Sequence, residues 1–342
     1  MNALTAAQTT NGSIEGTRIY GCEYHEAISV LSRKSLSKKQ WDSIRSLQQL
    51  DVRKNWMIAF YIALWATTGW VVLSIDILAV QLVGYFLIAC CVNGLPILMH
   101  EACHSLLTKN LTFNRWLGFL CGLPGFLSVS AYRSIHMAHH GHIKTAEDPD
   151  NIENSAKKPF PLVIVYYVVL FVGIYIYLFT VPVVGFQKAS KQLRKNILVE
   201  YALLILFFGA VFCLAPFNTV LQLWIIPLLI AGQLSNIRGL AEHGLTTGGN
   251  EFTDTRTVIS SRFVRFMMCN LNYHVEHHLF PGVPWYNLPK VHALLQDEYL
   301  NAGTSIYRSY TEFMIDFFKT TLNGVIPNVR MIPEHIREEI CL

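Results

Sequence analysis

The stretch Ile77–His104, ILAVQLVGYFLIACCVNGLPILMHEACH, carries no Lys, Arg, Asp or Glu before Glu101. About 20 apolar residues in a helix cross the hydrocarbon of a bilayer. Ile77–Met99 is therefore long enough to span one, and it delivers His100 and His104 at its end. Three further runs are equally free of charge: Asn55–Ile75, Pro159–Gln187 and Tyr201–Ile237. In lipid every backbone polar group must be satisfied internally, so these runs predict an all-α integral membrane protein. The whole chain agrees, with 52% apolar and only 15% charged residues in 342, where soluble chains carry about 25% charge. Mean hydropathy is +0.34. The net charge of +4 comes without a basic stripe interleaved with aromatics, which excludes a nucleic-acid partner. None of the eight cysteines forms a C-x-x-C pair and several lie inside the apolar runs. They read as small buried hydrophobes, neither a disulfide framework nor a thiolate metal site.

The first 50 residues are polar and mixed in charge, so no secretory signal is expected. Within them a helix is expected from Ser37, an N-cap type, to Arg53. Two spans follow, turning near Ser74-Ile75-Asp76. Trp116–Val129 is too short to cross and contains Gly122, Pro124 and Gly125, so it is expected to dip in and return. Ala215-Pro216-Phe217-Asn218 divides the last run into two helices. Arg45, Arg53 and Lys54 precede the first span, and Lys188, Lys191, Arg194 and Lys195 follow the 159–187 run. Short basic loops favour the cytoplasm. That rule predicts about four transmembrane helices in two hairpins, with 159–187 a re-entrant or in-plane element and a histidine-rich cap on the cytoplasmic side. A tight hairpin at 159–187, making six spans, is the rival. The expected divisions are a polar cytoplasmic N-terminal region (1–50), a membrane-embedded catalytic domain (51–290) and a cytoplasmic C-terminal region (291–342).

Nine of the thirteen histidines fall into four groups. His100 and His104 are spaced i, i+4. His136, His139 and His140 are spaced i, i+3, i+4, as are His274, His277 and His278. His243 stands alone in Arg238-Gly-Leu-Ala-Glu-His243. Residues three and four apart share a helix face, so each group aims its imidazoles one way, and neutral imidazole suits Fe, Zn, Cu and Ni. Glu101, His142, Asp148, Asp150, Glu242 and Glu276 could hold the far N–H of a ligating ring. Arg238 could meet a head-group anion or mark the membrane interface. His25, His292 and His335 read as surface or hydrogen-bonded core residues.

The H-x₃-H, H-x-x-H-H and H-x-x-H-H boxes, placed after spans, resemble the membrane-bound fatty acid desaturase and hydroxylase superfamily over roughly residues 50–290. Asn272–Pro281, NYHVEHHLFP, is the most specific stretch. The resemblance implies two iron ions held by the eight box histidines, with His243 as the family's additional ligand, and O₂ as co-substrate. It also implies a cytosol-facing site above an acyl channel, and electrons from a ferredoxin or cytochrome b5-type donor. No His-Pro-Gly-Gly haem motif occurs, so that donor is a separate protein. Gly239 stands where acyl-CoA desaturases of the animal type place an asparagine. The expected activity is desaturation of a fatty-acyl chain. Hydroxylation, ketolation or oxidative decarboxylation of a lipid or carotenoid is the alternative. A membrane metal transporter is a distant third, because its ligands belong at mid-membrane on broken helices and these histidines lie beyond the apolar runs.

Overall fold

The small residues of the opening stretch let its helix be packed on nearly every side. In the computed structural model, which describes residues 33–156, 159–246 and 248–322, α3 (Leu78–Cys103) is buried from Ile88 to Cys103 almost without interruption. A Cβ at Gly94 would lie 2.4 Å from the Tyr61 ring, and one at Gly84 2.3 Å from Val72. Glycine is what allows α2 (Trp56–Ser74) to approach so closely. The α2–α3 turn falls at the expected Ser74–Asp76.

After α3 the chain forms α4 (Leu111–Gly122), reverses through a 3₁₀ turn at Leu123–Gly125, and returns as α5 (Val129–His142). Phe126 closes the reversal in the left-handed region, φ 60°. The Trp224 indole donates to the Pro124 carbonyl, and Phe126 stacks on Phe208. The apolar segment that was expected to dip and return is thus a helical reversal pinned by aromatic rings.

Residues 159–187 differ from both sequence expectations that required a turn there. Pro159–Lys188 is one unbroken helix, α6, so neither a re-entrant loop nor a tight hairpin is present. Pro182 is accommodated inside it, and the Ile174 N–H donates to Asn236 Oδ1 at 2.6 Å. Then come α7 (Lys191–Leu214), α8 (Phe217–Val220), a π turn at Leu221–Ile225, and α9 (Ile226–His243). The break between α7 and α8 lies at Ala215-Pro216, as read from the sequence. Among the described residues five helices are long and apolar enough to cross a membrane: Val52–Ser74, Leu78–Cys103, Phe160–Lys188, Lys191–Leu214 and Phe217–His243. Large apolar side chains such as Trp70, Leu82, Phe179 and Leu206 stand exposed on their outer faces, the surface a membrane protein turns to lipid.

The C-terminal part wraps the end of the bundle where α3 and α9 finish. It comprises α10 (Arg262–Met267), α11 (His274–Leu279), α12 (Leu288–Leu294), α13 (Gln296–Asn301) and α14 (Tyr310–Leu322). A two-residue parallel pair, β1 (Thr257–Val258) with β2 (Ile306–Tyr307), is a small departure from the all-helical expectation. N-terminal α1 (Lys38–Leu47) docks on this layer, with Asn287 Nδ2 donating to the Leu47 carbonyl. Ser37 caps α1 in a capping box with Gln40 as expected, but the helix ends at Leu47, and Asp51 caps a separate 3₁₀ turn at Val52–Asn55. His25, His335, Cys22 and Cys341 lie outside the described residues.

Candidate metal centre

Four chain segments end at one place. His100 and His104 come from the last turn of α3 and its C-cap, and α5 brings His136, His139 and His140. His243 is the last residue of α9, and α11 supplies His274, His277 and His278. The eight histidines singled out by spacing and the lone His243 all meet there. His100, His104, His136, His140 and His277 form one group whose ring nitrogens lie within 4.8 Å of one another. His139, His243 and His278 form a second, and His274 joins it, its Nε2 lying 2.8 Å from that of His243 and 3.1 Å from that of His278. His140 and His278 stack at 4.2 Å between the groups.

The facing nitrogens do not satisfy one another. His136 Nε2 faces His104 at 2.8 Å and His140 at 3.0 Å, while His140 Nε2 also faces His277 at 3.1 Å. A neutral imidazole has one N–H, so this chain of contacts leaves lone pairs pointing at one another. Both ring nitrogens of His100 and Nε2 of His139 are buried with no hydrogen-bond partner among the described residues. One cation at the centre of each group would engage these facing nitrogens, and the donor set is imidazole apart from Glu242, which lies with His243 and His274.

Electrostatics keep these rings fit to coordinate. Burial pushes the His104 imidazole down to about 3. Burial, joined by repulsion from neighbouring rings, also holds His136, His140, His277 and His278 well below the ordinary histidine range. They are neutral at pH 7 with lone pairs available. Burial acts the same way on His139, but the Asp148 carboxylate outweighs it and lifts that ring above its ordinary value.

The supporting residues divide. Asp148 Oδ1 lies 2.8 Å from His139 Nδ1 and accepts from the Asp150 N–H, while its Oδ2 accepts from the Lys144 N–H. Glu242 Oε2 lies 3.6 Å from His274 Nδ1 and 3.4 Å from Arg238 Nε. Glu101 takes the Trp285 N–H at 3.0 Å and stands 3.8 Å from His100 Nδ1. Two expectations need correction. His142 faces away from the cluster and pairs with Glu147 at 3.1 Å, because two residues beyond His140 is the opposite side of a helix. Glu276 supports no box histidine: it is clamped between Thr257 Oγ1 at 2.6 Å and His292 Nδ1 at 2.5 Å.

Other residues escaped the sequence reading. Lys144 Nζ donates to the His243 carbonyl and pairs with Glu153, which also accepts from the Leu245 N–H. The fully buried Arg256 donates to the carbonyls of Ala241, Gly244 and Leu245, closing the end of α9. Glu200, also fully buried, accepts from Ser128, Ser130 and Arg115 and fixes the start of α5. A lone charge in an aperiodic stretch gives no spacing signal to find it by. Against the cluster lies a cavity of about 350 Å³, bordered by His100, His136, His139, His243 and His274 and reaching to Arg238 and α6.

The fatty acid desaturase family pattern matches residues 76–310, which include every histidine of the cluster. The chain is 25% identical over 298 residues to a sphingolipid delta(4)-desaturase of Schizosaccharomyces pombe, covering 79% of this chain and 77% of the relative. It is 29% identical to the dihydrorhizobitoxine desaturase of Bradyrhizobium elkanii, over 64% and 68% of the two chains. It is 25% identical to the sphingolipid delta(4)-desaturase/C4-monooxygenase of Homo sapiens, over 78% and 81%. An enzyme family accounts for the boxes, and the transporter reading falls away. The chain belongs to the fatty acid desaturase family and is a membrane oxidoreductase.

Proposed function

We propose that this chain introduces a double bond into a lipid chain, using O₂ and two iron ions held by the nine histidines. The carrying observation is the two groups of converging, largely buried imidazoles set against a cavity. His100, His104, His136, His140 and His277 would hold one iron; His139, His243, His274 and His278 the other. Iron bound there would supply the oxidant that an unactivated C–H bond requires. The overall change is balanced as loss of two hydrogens from adjacent carbons, with O₂, two electrons and two protons going to two waters. The electrons come from a ferredoxin or cytochrome b5-type donor. What the chain itself does is positional. Asp148 and Glu242 orient His139 and His274, Glu200 and Arg256 fix the ends of the helices that carry the ligands, and the enclosing layer excludes bulk water.

Two features support four crossings, and the basic residues before α2 and after α6 favour the cytoplasm for the side of the site. His104 after α3 and His243 at the end of α9 meet at one cluster, so the number of crossings between them is even. Three candidate helices lie between them, and one therefore does not cross. The Tyr166 hydroxyl near the start of α6 bonds Glu153, and Gly185 near its end rests on the Ala131 backbone of α5. Both ends of α6 thus touch the histidine side, which favours α6 as the in-plane element.

Hydroxylation is the second reading, because the human relative's name couples desaturase with C4-monooxygenase. Mass spectrometry of host lipids with and without the chain separates the two. Loss of two hydrogens supports the proposal, gain of one oxygen supports hydroxylation, and no oxidised lipid in the presence of a reducing partner contradicts both.

A further inference from the structure

We propose that α14 docks on the bilayer, lying at its interface with Ile315, Phe318 and Leu322 inserted into lipid. The sequence places residues 291–342 in a cytoplasmic region; on this reading part of that region touches the membrane. The contact depends on none of the chemistry proposed above.

α14 has three faces where a surface helix of a soluble domain has two. Phe313, Phe317 and Thr321, spaced i, i+4, i+8, are buried, and the two phenylalanines pack against Tyr166 of α6 and Leu240 of α9. Charge is confined to a second face. There Glu312 accepts from the Arg308 N–H, Asp316 accepts from the Tyr307 hydroxyl, and Lys319 stands exposed. The third face holds Ile315, Phe318 and Leu322, spaced i, i+3, i+7, which share one side of a helix. They are 50%, 38% and 77% exposed. Single exposed apolar residues carry no message, whereas a contiguous patch marks an interaction surface. Helices that lie in a membrane interface keep charge off the face they insert. Lys319 borders that face, and its apolar stem lets the ammonium reach the headgroup level.

The neighbouring helix identifies what covers this face. α6 is long and apolar enough to cross a membrane, and its Phe160, Ile164 and Phe171 are exposed. Tyr167 lies three residues after Ile164 and four before Phe171, so it belongs to their stripe. It is also where α14 lands. The Tyr167 ring lies 6.3 Å from that of Phe318, and its hydroxyl bonds Thr321 Oγ1 at 3.0 Å. The lipid-facing stripe of α6 and the outer stripe of α14 therefore meet at Tyr167, a residue type suited to the membrane interface by its apolar ring and polar tip. The inner face of α14 links this contact to the site. The Arg256 guanidinium stands 5.1 Å from the Phe313 ring, and it donates to the Ala241 and Gly244 carbonyls on either side of His243.

The test uses the full chain in phosphatidylcholine vesicles, with Cys22, Cys213 and Cys341 replaced by serine. One nitroxide-labelled cysteine is introduced at a time, as Ile315→Cys, Phe318→Cys, Leu322→Cys or Glu312→Cys. Power saturation reads collision with O₂, which concentrates in hydrocarbon, and with a water-soluble nickel chelate. The three apolar positions should favour O₂ and report depths of about 5–10 Å into the headgroup and acyl boundary. Glu312→Cys should favour nickel. All four positions are exposed, and any two of the apolar three decide the matter if one variant fails to fold. Nickel preference at every position overturns the proposal. Labels closed to both reagents overturn it too, because the face is then covered by protein. Truncation after Leu322 would open it if residues 323–342 are the cover, and dilution in lipid would open it if a second copy is. The readout needs neither iron nor turnover. O₂-favouring labels in a protein that oxidises no lipid would leave the docking standing and sink the proposed activity, and oxidation with nickel-favouring labels would do the reverse.

Discussion

Lys144 Nζ lies 2.7 Å from the carbonyl oxygen of His243, so the loop after the second histidine box grips the end of α9. His243 is alone in the sequence, and its own helix ends with it. The backbone that carries its ring is held by contacts from elsewhere: Lys144 on the His243 carbonyl, Arg256 on that of Ala241, and Glu153 on the Leu245 N–H. Lys144→Met should therefore behave as a weakened ligand mutant. The expected result is a loss of about tenfold or more in activity, with less bound iron, in the range typical of residues that orient metal ligands. Iron content and turnover measured on the same preparation check it. Unchanged iron would show that α9 holds His243 without the lysine.

Glu200 should matter for stability before it matters for chemistry. It is fully buried on α7 and binds Arg115, Ser128 and Ser130. Breaking a buried, fully bonded charge pair typically costs about 3–5 kcal/mol. Glu200→Ala should lower the melting temperature in detergent markedly and loosen α5. Glu200→Gln, which keeps the shape and part of the bonding, should fall between. Equal melting temperatures for all three proteins would contradict the anchoring role.

Topology has a direct test. If α6 lies in the plane of the membrane, the loop around Lys191 faces the same side as the histidine cluster. A single cysteine placed at Lys191, in a background with exposed Cys213 replaced, should react with an impermeant reagent only from the cytoplasm. Labelling from outside would require α6 to cross.

Acid should destabilise the metal-free protein. The unfolded chain's histidines titrate near 6.5, whereas burial holds His104 at about 3 and keeps His136, His140, His277 and His278 low as well. Below pH 6.5 the unfolded state therefore binds more protons, and stability falls with falling pH, by up to about 1.4 kcal/mol per pH unit for each such ring. His139 opposes the trend, because Asp148 raises it. Denaturant midpoints of chelator-stripped protein should drop between pH 7.5 and pH 5. A flat or rising profile would mean the rings are already exposed.

The apolar runs and the 3-and-4 histidine spacing were readable because each is a periodic pattern within one segment. Their convergence followed from a topology that returned each box to one side. Contacts between segments were not readable. Glu276 and His292 pair across 16 residues without any shared period, so His292 gave no hint that it orients the helix carrying the last box. The continuity of α6 was hidden because the topology was read from the basic residues before α2 and after α6, a rule for loops that says nothing of whether the run between them turns. That Asp150, Tyr177 and Arg238 border one cavity was equally unreadable, since they come from three different segments.

The central claim is that nine histidines hold two irons, five rings to one and four to the other. The most direct measurement is iron per chain in protein purified after expression with iron, for wild type and for His243→Ala. The account predicts about two irons in the wild type. It predicts clear loss of iron and no turnover in His243→Ala, as for His139→Ala and His277→Ala. Full iron with near-normal turnover in His243→Ala, or stoichiometric zinc supporting activity in the wild type, would contradict it.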